Sequence, residues 1–275
     1  MRNRILVMAG IISIIGVVAV MILFKPRGSP PAGGTVNVRP RQSVQNLLQE
    51  VQALGQKGDL AGVKAAYQEL VNNFSSHKDI NVWQKSLDEA SLKVILSPTI
   101  VPGMSQAYEV HALDSLTKIA KQFNTTVELI KKSNNLSSDR ITPGQKLKIW
   151  TAKLSVLVDK SQNTLALKSN DEIIKTYNVA TGTNNSTPVG MFKITTKLVN
   201  PTWYKAGAVV PADSPENILG TRWLGFDIAS YGIHGTTDPA SIGTQATAGC
   251  VRMHNAEVEE LYSLLPIGTE VTIVD

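Results

Sequence analysis

Residues 231–253 read YGIHGTTDPASIGTQATAGCVRM, and they hold Cys250, the only cysteine of the 275-residue chain, together with His234 and glycines beside both. A thiol of ordinary pKa, about 8.5, is only a few per cent ionised at neutral pH, so a nucleophilic cysteine requires a nearby base or imidazolium. His234 is the candidate for that part. Lowering the thiol pKa by about two units would take roughly 2.7 kcal/mol of differential stabilisation of the thiolate. Glycines let backbone approach a reacting carbonyl without a Cβ clash, so the amides of Gly249 and Cys250 are candidate oxyanion donors. The Gly235 carbonyl is a candidate for orienting the imidazole. Taken alone, one Cys near one His also fits a buried structural thiol. His111 and His254 fall outside the stretch and read as surface or loop residues.

Around this stretch the hydrophobic pattern alternates. LSVLVDKSQNTLAL (154–167) and EIIKTYNVATG (172–182) read as strands joined by an Asn-containing turn, TPVGMFKITTK (187–197) as a turn into a strand, and GTEVTIV (268–274) as the last strand. One helix is expected over 255–265, with Val258, Leu261, Tyr262 and Leu265 on one face. Residues 152–275 are therefore predicted to form a mainly-β unit. Before it, residues 107–151 change period twice. A short strand at 108–110 leads to a helix capped at Asp114-Ser115, a second helix follows Thr125-Thr126 and ends at Asn134-Asn135, and Pro143-Gly144 turns into a strand at 146–150. The order is βααβ.

Further out, SPTIVPGMS (97–105) marks a Pro/Gly linker, placed at 98–106. Residues 42–97 read as a small α-helical hairpin segment, with Leu47, Val51 and Leu54 on one helix, Leu60, Val63, Tyr67 and Leu70 on the next, and a third helix suggested by Trp83, Leu87 and Leu92. Its stretch GDLAGVKAAYQEL (58–70) resembles one helix of a tetratricopeptide repeat, so a spacer and a site for a protein partner are both open readings. Residues 28–41 are a Pro/Gly-rich tether, and Ile5 to Phe24 is an apolar run long enough for the roughly 20 residues that cross a bilayer. Residues 1–27 are therefore expected to be a transmembrane anchor.

The formal net charge of +5 comes from scattered Lys and Arg residues without a basic stripe, which argues against nucleic acid as a partner. A single cysteine excludes an intramolecular disulfide framework, and no Cys/His spacing points to a metal. Thiol chemistry needs neither metal nor organic cofactor, and none is expected.

Two resemblances sharpen this. YEVHALDSLTKIAKQF, TTVELIKKSNNL and ITPGQKLKIW make residues 107–151 similar to the LysM domain, a family that binds N-acetylglucosamine-containing glycans. The resemblance implies sugar contacts near Asp114, Ser115, Asn134 and Asn135, although Leu113 stands where the family usually has Gly. TPVGMFKI (187–194), NILGTRWLGF (217–226), YGIHGT (231–236) and TAGCVRM (247–253) make residues 152–275 resemble the YkuD-type L,D-transpeptidase domain. That resemblance implies a mixed β-sandwich with Cys250 as nucleophile, His234 as base, and Gly235 and Gly249 in orienting and oxyanion parts. Arg252, Thr247 and Trp223 are candidate substrate-supporting residues. Ala248 and Ile218 depart from residues common in the family.

The implied reaction is peptidoglycan cross-linking, in which a cysteine attacks the bond between the diamino acid and D-Ala of a tetrapeptide stem. With water as acceptor the same site is an L,D-carboxypeptidase, and a non-catalytic wall-binding anchor is the other alternative. The expected location is a single-pass membrane protein with its catalytic domain outside the cytoplasm, facing the wall. The expected partners are peptidoglycan and the membrane.

Overall fold

The computed structural model describes residues 43–275 apart from residue 206. The apolar run and the tether lie outside the described residues, and so does the anchor expected there. Among the described residues no helix is long and apolar enough to cross a membrane. The longest, with 17 residues, carries Lys85, Asp88, Glu89 and Lys93, whereas a span needs about 20 mostly apolar residues. The expected transmembrane helix, the membrane as partner and the single-pass location facing the wall thus find no support among the described residues and are not carried further.

Three helices, α1 (Val44–Gln56), α2 (Leu60–Asn73) and α3 (Ile80–Leu96), make up the first segment, the third of them where Trp83, Leu87 and Leu92 suggest it. Ser43 and Asp59 start the first two by accepting the amides of Asn46 and Gly62, and Gly58 at φ 71° makes the turn between them. Leu47, Leu70 and Trp83 form their small core. Helix α3 buries a second face as well, since Leu92 and Ile95 belong to the main core of the molecule.

A βααβ unit follows, with β1 (Ser105–Glu109), α4 (Leu116–Gln122), α5 (Val127–Ser133) and β2 (Lys146–Trp150), as the sequence pattern predicts. Its strands pair antiparallel, and Leu116, Ile119, Ile130, Leu147 and Ile149 fill its core. Ser115 and Thr126 cap the two helices through their hydroxyls. The stretch before it packs on the molecule, since the Met104 carbonyl accepts the amides of Thr151 and Ala152 at 2.9 and 3.0 Å and Val101 and Met104 lie against the main core. Lys148 of β2 is buried and donates to the carbonyls of Val94, Ile95 and Ser97 at 2.7, 3.1 and 2.7 Å, which closes the C-terminus of α3.

The remaining strands are β3 (Leu154–Asp159), β4 (Thr164–Ser169), β5 (Glu172–Asn178), β6 (Thr181–Gly182), β7 (Gly190–Val199), β8 (Trp203–Lys205), β9 (Ala208–Val210), β10 (Arg222–Phe226), β11 (Gly232–His234), β12 (Gln245–Thr247), β13 (Val251–Arg252) and β14 (Glu270–Val274), with helix α6 (Asn255–Leu264) before the last. Eight of them form one mixed sheet in the order β13-β11-β10-β7-β14-β3-β4-β5. The expected β-sandwich is therefore corrected to a half-barrel built on this single large sheet. Its inner residues alternate along each strand and meet α6, with Val156, Leu165, Ile194, Leu224, Ile233, Val258, Leu261 and Val271 in one core. The edge strand β5 is covered by α3, whose Asp88 carboxylate accepts the Thr176 amide at 3.0 Å. The βααβ unit docks on α6. Thr126 donates to the Ser263 carbonyl, Lys132 reaches the Ser263 hydroxyl at 2.8 Å, and Leu129 and Trp150 enter the main core.

Candidate active site

Strand register brings the candidate residues together. Leu198 of β7 lies opposite Trp223 of β10, Trp223 opposite His234 of β11, and His234 opposite Arg252 of β13, where β11 and β13 run parallel. Paired residues in a sheet share a face. Leu198, Trp223, His234 and Arg252 therefore form one row, and Cys250, two residues before Arg252, joins it from the loop that enters β13.

His234 is 2% exposed, and its Nδ1 lies 2.7 Å from the Gly235 carbonyl. A carbonyl only accepts, so Nδ1 carries the proton and Nε2 keeps its lone pair. Trp223 stacks on the imidazole with ring centroids 6.0 Å apart and planes 20° from parallel. The indole needs Gly225 and Gly232 beneath it, since a Cβ on either would lie 2.5 or 2.9 Å from its atoms. Burial pushes the His234 pKa down to about 4, the Gly235 hydrogen bond opposes that, and the Arg252 charge adds to it.

The Cys250 thiol donates at 3.4 Å to the carbonyl of Ser230, a residue held at φ 70°. Burial raises its pKa, and a hydrogen bond from the Gly232 backbone and the Arg252 charge pull the other way. At neutral pH the pair rests as thiol and imidazole. The thiolate stabilised by imidazolium that the sequence suggested is not the resting state, because burial disfavours both charges. Thr247 shapes the turn before Cys250: its hydroxyl donates to the Cys250 carbonyl at 2.7 Å and accepts the Gly249 amide at 3.1 Å. The Gly249 amide is thereby occupied. Arg252 is 7% exposed and reaches the Ser241 hydroxyl at 2.9 Å and Asp238 at 3.8 Å, holding the loop between β11 and β12. A cleft of about 330 Å³ opens over Cys250, lined by Leu198, Trp203, Leu219, Trp223 and Ser230 among others.

The candidate glycan residues lie apart from this cleft, in the βααβ unit. Asp114 accepts from the Tyr108 hydroxyl and the His111 amide, Ser115 caps α4, and Asn134 clamps both the amide and the carbonyl of Lys148. Asn135 sits at φ 55°. All but Asn135 are thus engaged in shaping their own loops. Leu113 adopts φ 70° and is 89% exposed, which explains why glycine suits that position.

Sequence reasoning passed over two asparagines. Asn217 donates to the carbonyls of Pro201 and Pro211 at 2.8 and 3.0 Å and so ties the two ends of the β8–β9 hairpin beside the cleft. Asn255 bridges the turns that flank β10 and β11. Neither carries a signal in sequence, because an Asn in a loop or at a helix start reads as ordinary turn and cap chemistry.

A thiol, an imidazole with a fixed tautomer and an open cleft define a cysteine-dependent acyl-transfer enzyme. The model of the L,D-transpeptidase catalytic domain, YkuD, matches residues 153–273, and that of the LysM domain matches residues 108–150. Among curated proteins, YqjB of Bacillus subtilis (strain 168), provisionally named an L,D-transpeptidase, is 43% identical over 126 residues, 44% of this chain and 70% of that protein. YkuD of the same organism, also provisionally named an L,D-transpeptidase, is 35% identical over 173 residues, 60% of this chain and 97% of that protein. A crystal structure of an L,D-transpeptidase from Mycobacterium tuberculosis H37Rv aligns with TM-score 0.40 at 12% identity over 65% of this chain and 95% of that one. The chain belongs to the L,D-transpeptidase family, with a YkuD-type catalytic domain preceded by a LysM domain.

Proposed function

We propose that this enzyme cross-links peptidoglycan, with Cys250 as nucleophile and His234 as general base. The observation that carries the reading is the Nδ1–H tautomer of His234, fixed by the Gly235 carbonyl, on the sheet face that also bears Cys250. The thiol leaves the Ser230 carbonyl and gives its proton to Nε2 as sulfur attacks the carbonyl between the stem diamino acid and D-Ala. Proton transfer concerted with attack suits a pair that rests neutral. Since Thr247 holds the Gly249 amide, the Cys250 N–H is the donor for the oxyanion. The imidazolium then protonates the departing amine of D-Ala, leaving a thioester on Cys250. An acceptor amine attacks that thioester, Nε2 takes its proton, and a new amide forms with the thiol restored. Water in place of the amine gives a free acid and makes the enzyme a carboxypeptidase.

Arg252 acts here by holding the loop after His234 and by its charge, and Trp223 forms the cleft floor. The LysM domain supplies attachment to the glycan, which raises the local concentration of stems at the cleft. Domain limits follow the sequence reading, with LysM at 107–151 and the catalytic domain at 152–275. Incubating the full chain with disaccharide tetrapeptide and resolving products by mass spectrometry tests this. D-Ala release with dimeric muropeptides supports transpeptidation, release without dimers under added acceptor means hydrolysis, and no release by an enzyme whose thiol alkylates normally sinks the reading.

A further inference from the structure

Helix α6 starts at Asn255, whose side chain is occupied on both ends. Its Oδ1 accepts the amides of Thr236 at 2.9 Å and Thr221 at 3.3 Å, and its Nδ2 donates to the Thr236 carbonyl at 2.9 Å. The approach is close enough that a Cβ on Gly235 or Gly220 would fall 2.1 or 2.2 Å from Oδ1. Both glycines stand where only a missing side chain admits the asparagine.

The Thr236 amide and the Gly235 carbonyl are the two ends of one planar peptide unit. One end donates to Asn255, and the other accepts the Nδ1–H of His234 at 2.7 Å. Rotation of that peptide would turn the carbonyl away from the ring, and with it would go the preference for the Nδ1–H tautomer. A peptide that donates at its N–H is also a better acceptor at its oxygen, because hydrogen bonds in series polarise one another.

We propose that Asn255 is a positioning residue of the transfer reaction, which fixes the Gly235–Thr236 peptide and through it the tautomer and ring plane of His234. The inference rests on His234 being the base. It extends the site from two reacting side chains to a relay, from Asn255 through a backbone peptide to His234, in which a backbone carbonyl takes the orienting part often filled by a carboxylate.

The test is the ring-nitrogen spectrum of His234 in ¹⁵N-labelled full-length enzyme at neutral pH without substrate, beside kcat and KM on disaccharide tetrapeptide. The native enzyme should show Nδ1–H alone. Asn255→Ala should mix the tautomers and lower kcat roughly tenfold or more, a part of the 10²–10⁴-fold that a positioned base contributes, with KM little changed. Asn255→Asp keeps the acceptor for the Thr236 amide but loses the donor to the Thr236 carbonyl, so it should retain the Nδ1–H tautomer with a smaller loss of kcat than Asn255→Ala. Asn255→Ser, which still suits a helix start but is too short to bridge both turns, serves if the alanine variant does not fold.

An unchanged tautomer in the Ala and Ser variants overturns the proposal, whatever the rate. A changed tautomer with full activity shows instead that His234 is not the base, and overturns the reading on which the proposal rests. Because the spectrum needs no substrate, the two failures are told apart.

Discussion

The proposed reacting residues, Cys250 and His234, are governed first by burial. His234 lies under Trp223, and its low pKa follows first from the loss of water around the ring. A base works when neutral, so kcat/KM should hold down to an acid limb near pH 4 set by His234. Removing the indole in Trp223→Ala admits water and should move that limb upward toward the ordinary 6.5, while Trp223→Phe should leave it close to the native position; pH-rate profiles of the three proteins decide it. The same burial has a stability counterpart. The native state holds His234 neutral where the unfolded chain would protonate it, so the His234 contribution is complete above about pH 6.5 and is lost as pH falls through about 4.

Leu113 shows a different cost, since a non-glycine residue in the left-handed region loses about 1–2 kcal/mol and glycine recovers most of that less its own chain entropy. Leu113→Gly should raise stability by about 0.5–1 kcal/mol in denaturant unfolding. At this scale Cys250 and His234 were legible in sequence as candidates through the motifs YGIHGT and TAGCVRM, since a lone thiol near an imidazole also fits a buried structural cysteine. The neutral resting pair was not legible, since it depends on what covers the residues. The engaged Gly249 amide was hidden for a related reason: its partner, the Thr247 hydroxyl, is fixed only once the turn is formed.

Among the elements, the βααβ unit and the closing strand β14 were legible from period and turn residues. The third helix was suggested by Trp83, Leu87 and Leu92, but its two buried faces were not, because one of them is set by a sheet that lies far along the chain. The C-terminus of α3, just before a stretch with the composition of a linker, is likewise fastened by a lysine in a strand that gives no hint of its target. Lys148 is buried with burial lowering its pKa to about 8, and its carbonyl acceptors are Val94 and Ile95 in the last turn of α3 and Ser97 just past it. Lys148→Met keeps the volume and removes the donor, leaving the Ile95 and Ser97 carbonyls without it while Val94 keeps only the Ser97 hydroxyl. It should destabilise the protein by about 3 kcal/mol, and hydrogen exchange should show the loss first in the last turn of α3 and in β2. Unchanged protection there would mean that apolar packing alone holds the junction.

Across the whole described molecule, helices, LysM unit and half-barrel share a core through Leu92, Ile95, Leu129 and Trp150, so the sequence picture of beads on a tether gives way to one packed body. Sequence periodicity identifies each part but is silent on their docking, which is decided by a few side chains such as Thr126, Lys132 and Asp88 reaching backbone or hydroxyl partners on another part. The chemistry proposed for that body rests on one sulfur. Intact-protein mass spectrometry of the full chain, quenched in acid during turnover of disaccharide tetrapeptide, tests this most directly. A mass increase equal to the substrate less D-Ala is expected, mapped by proteolysis to Cys250 and absent in Cys250→Ala. An adduct on another residue, or D-Ala release at the native rate by Cys250→Ala, would contradict it.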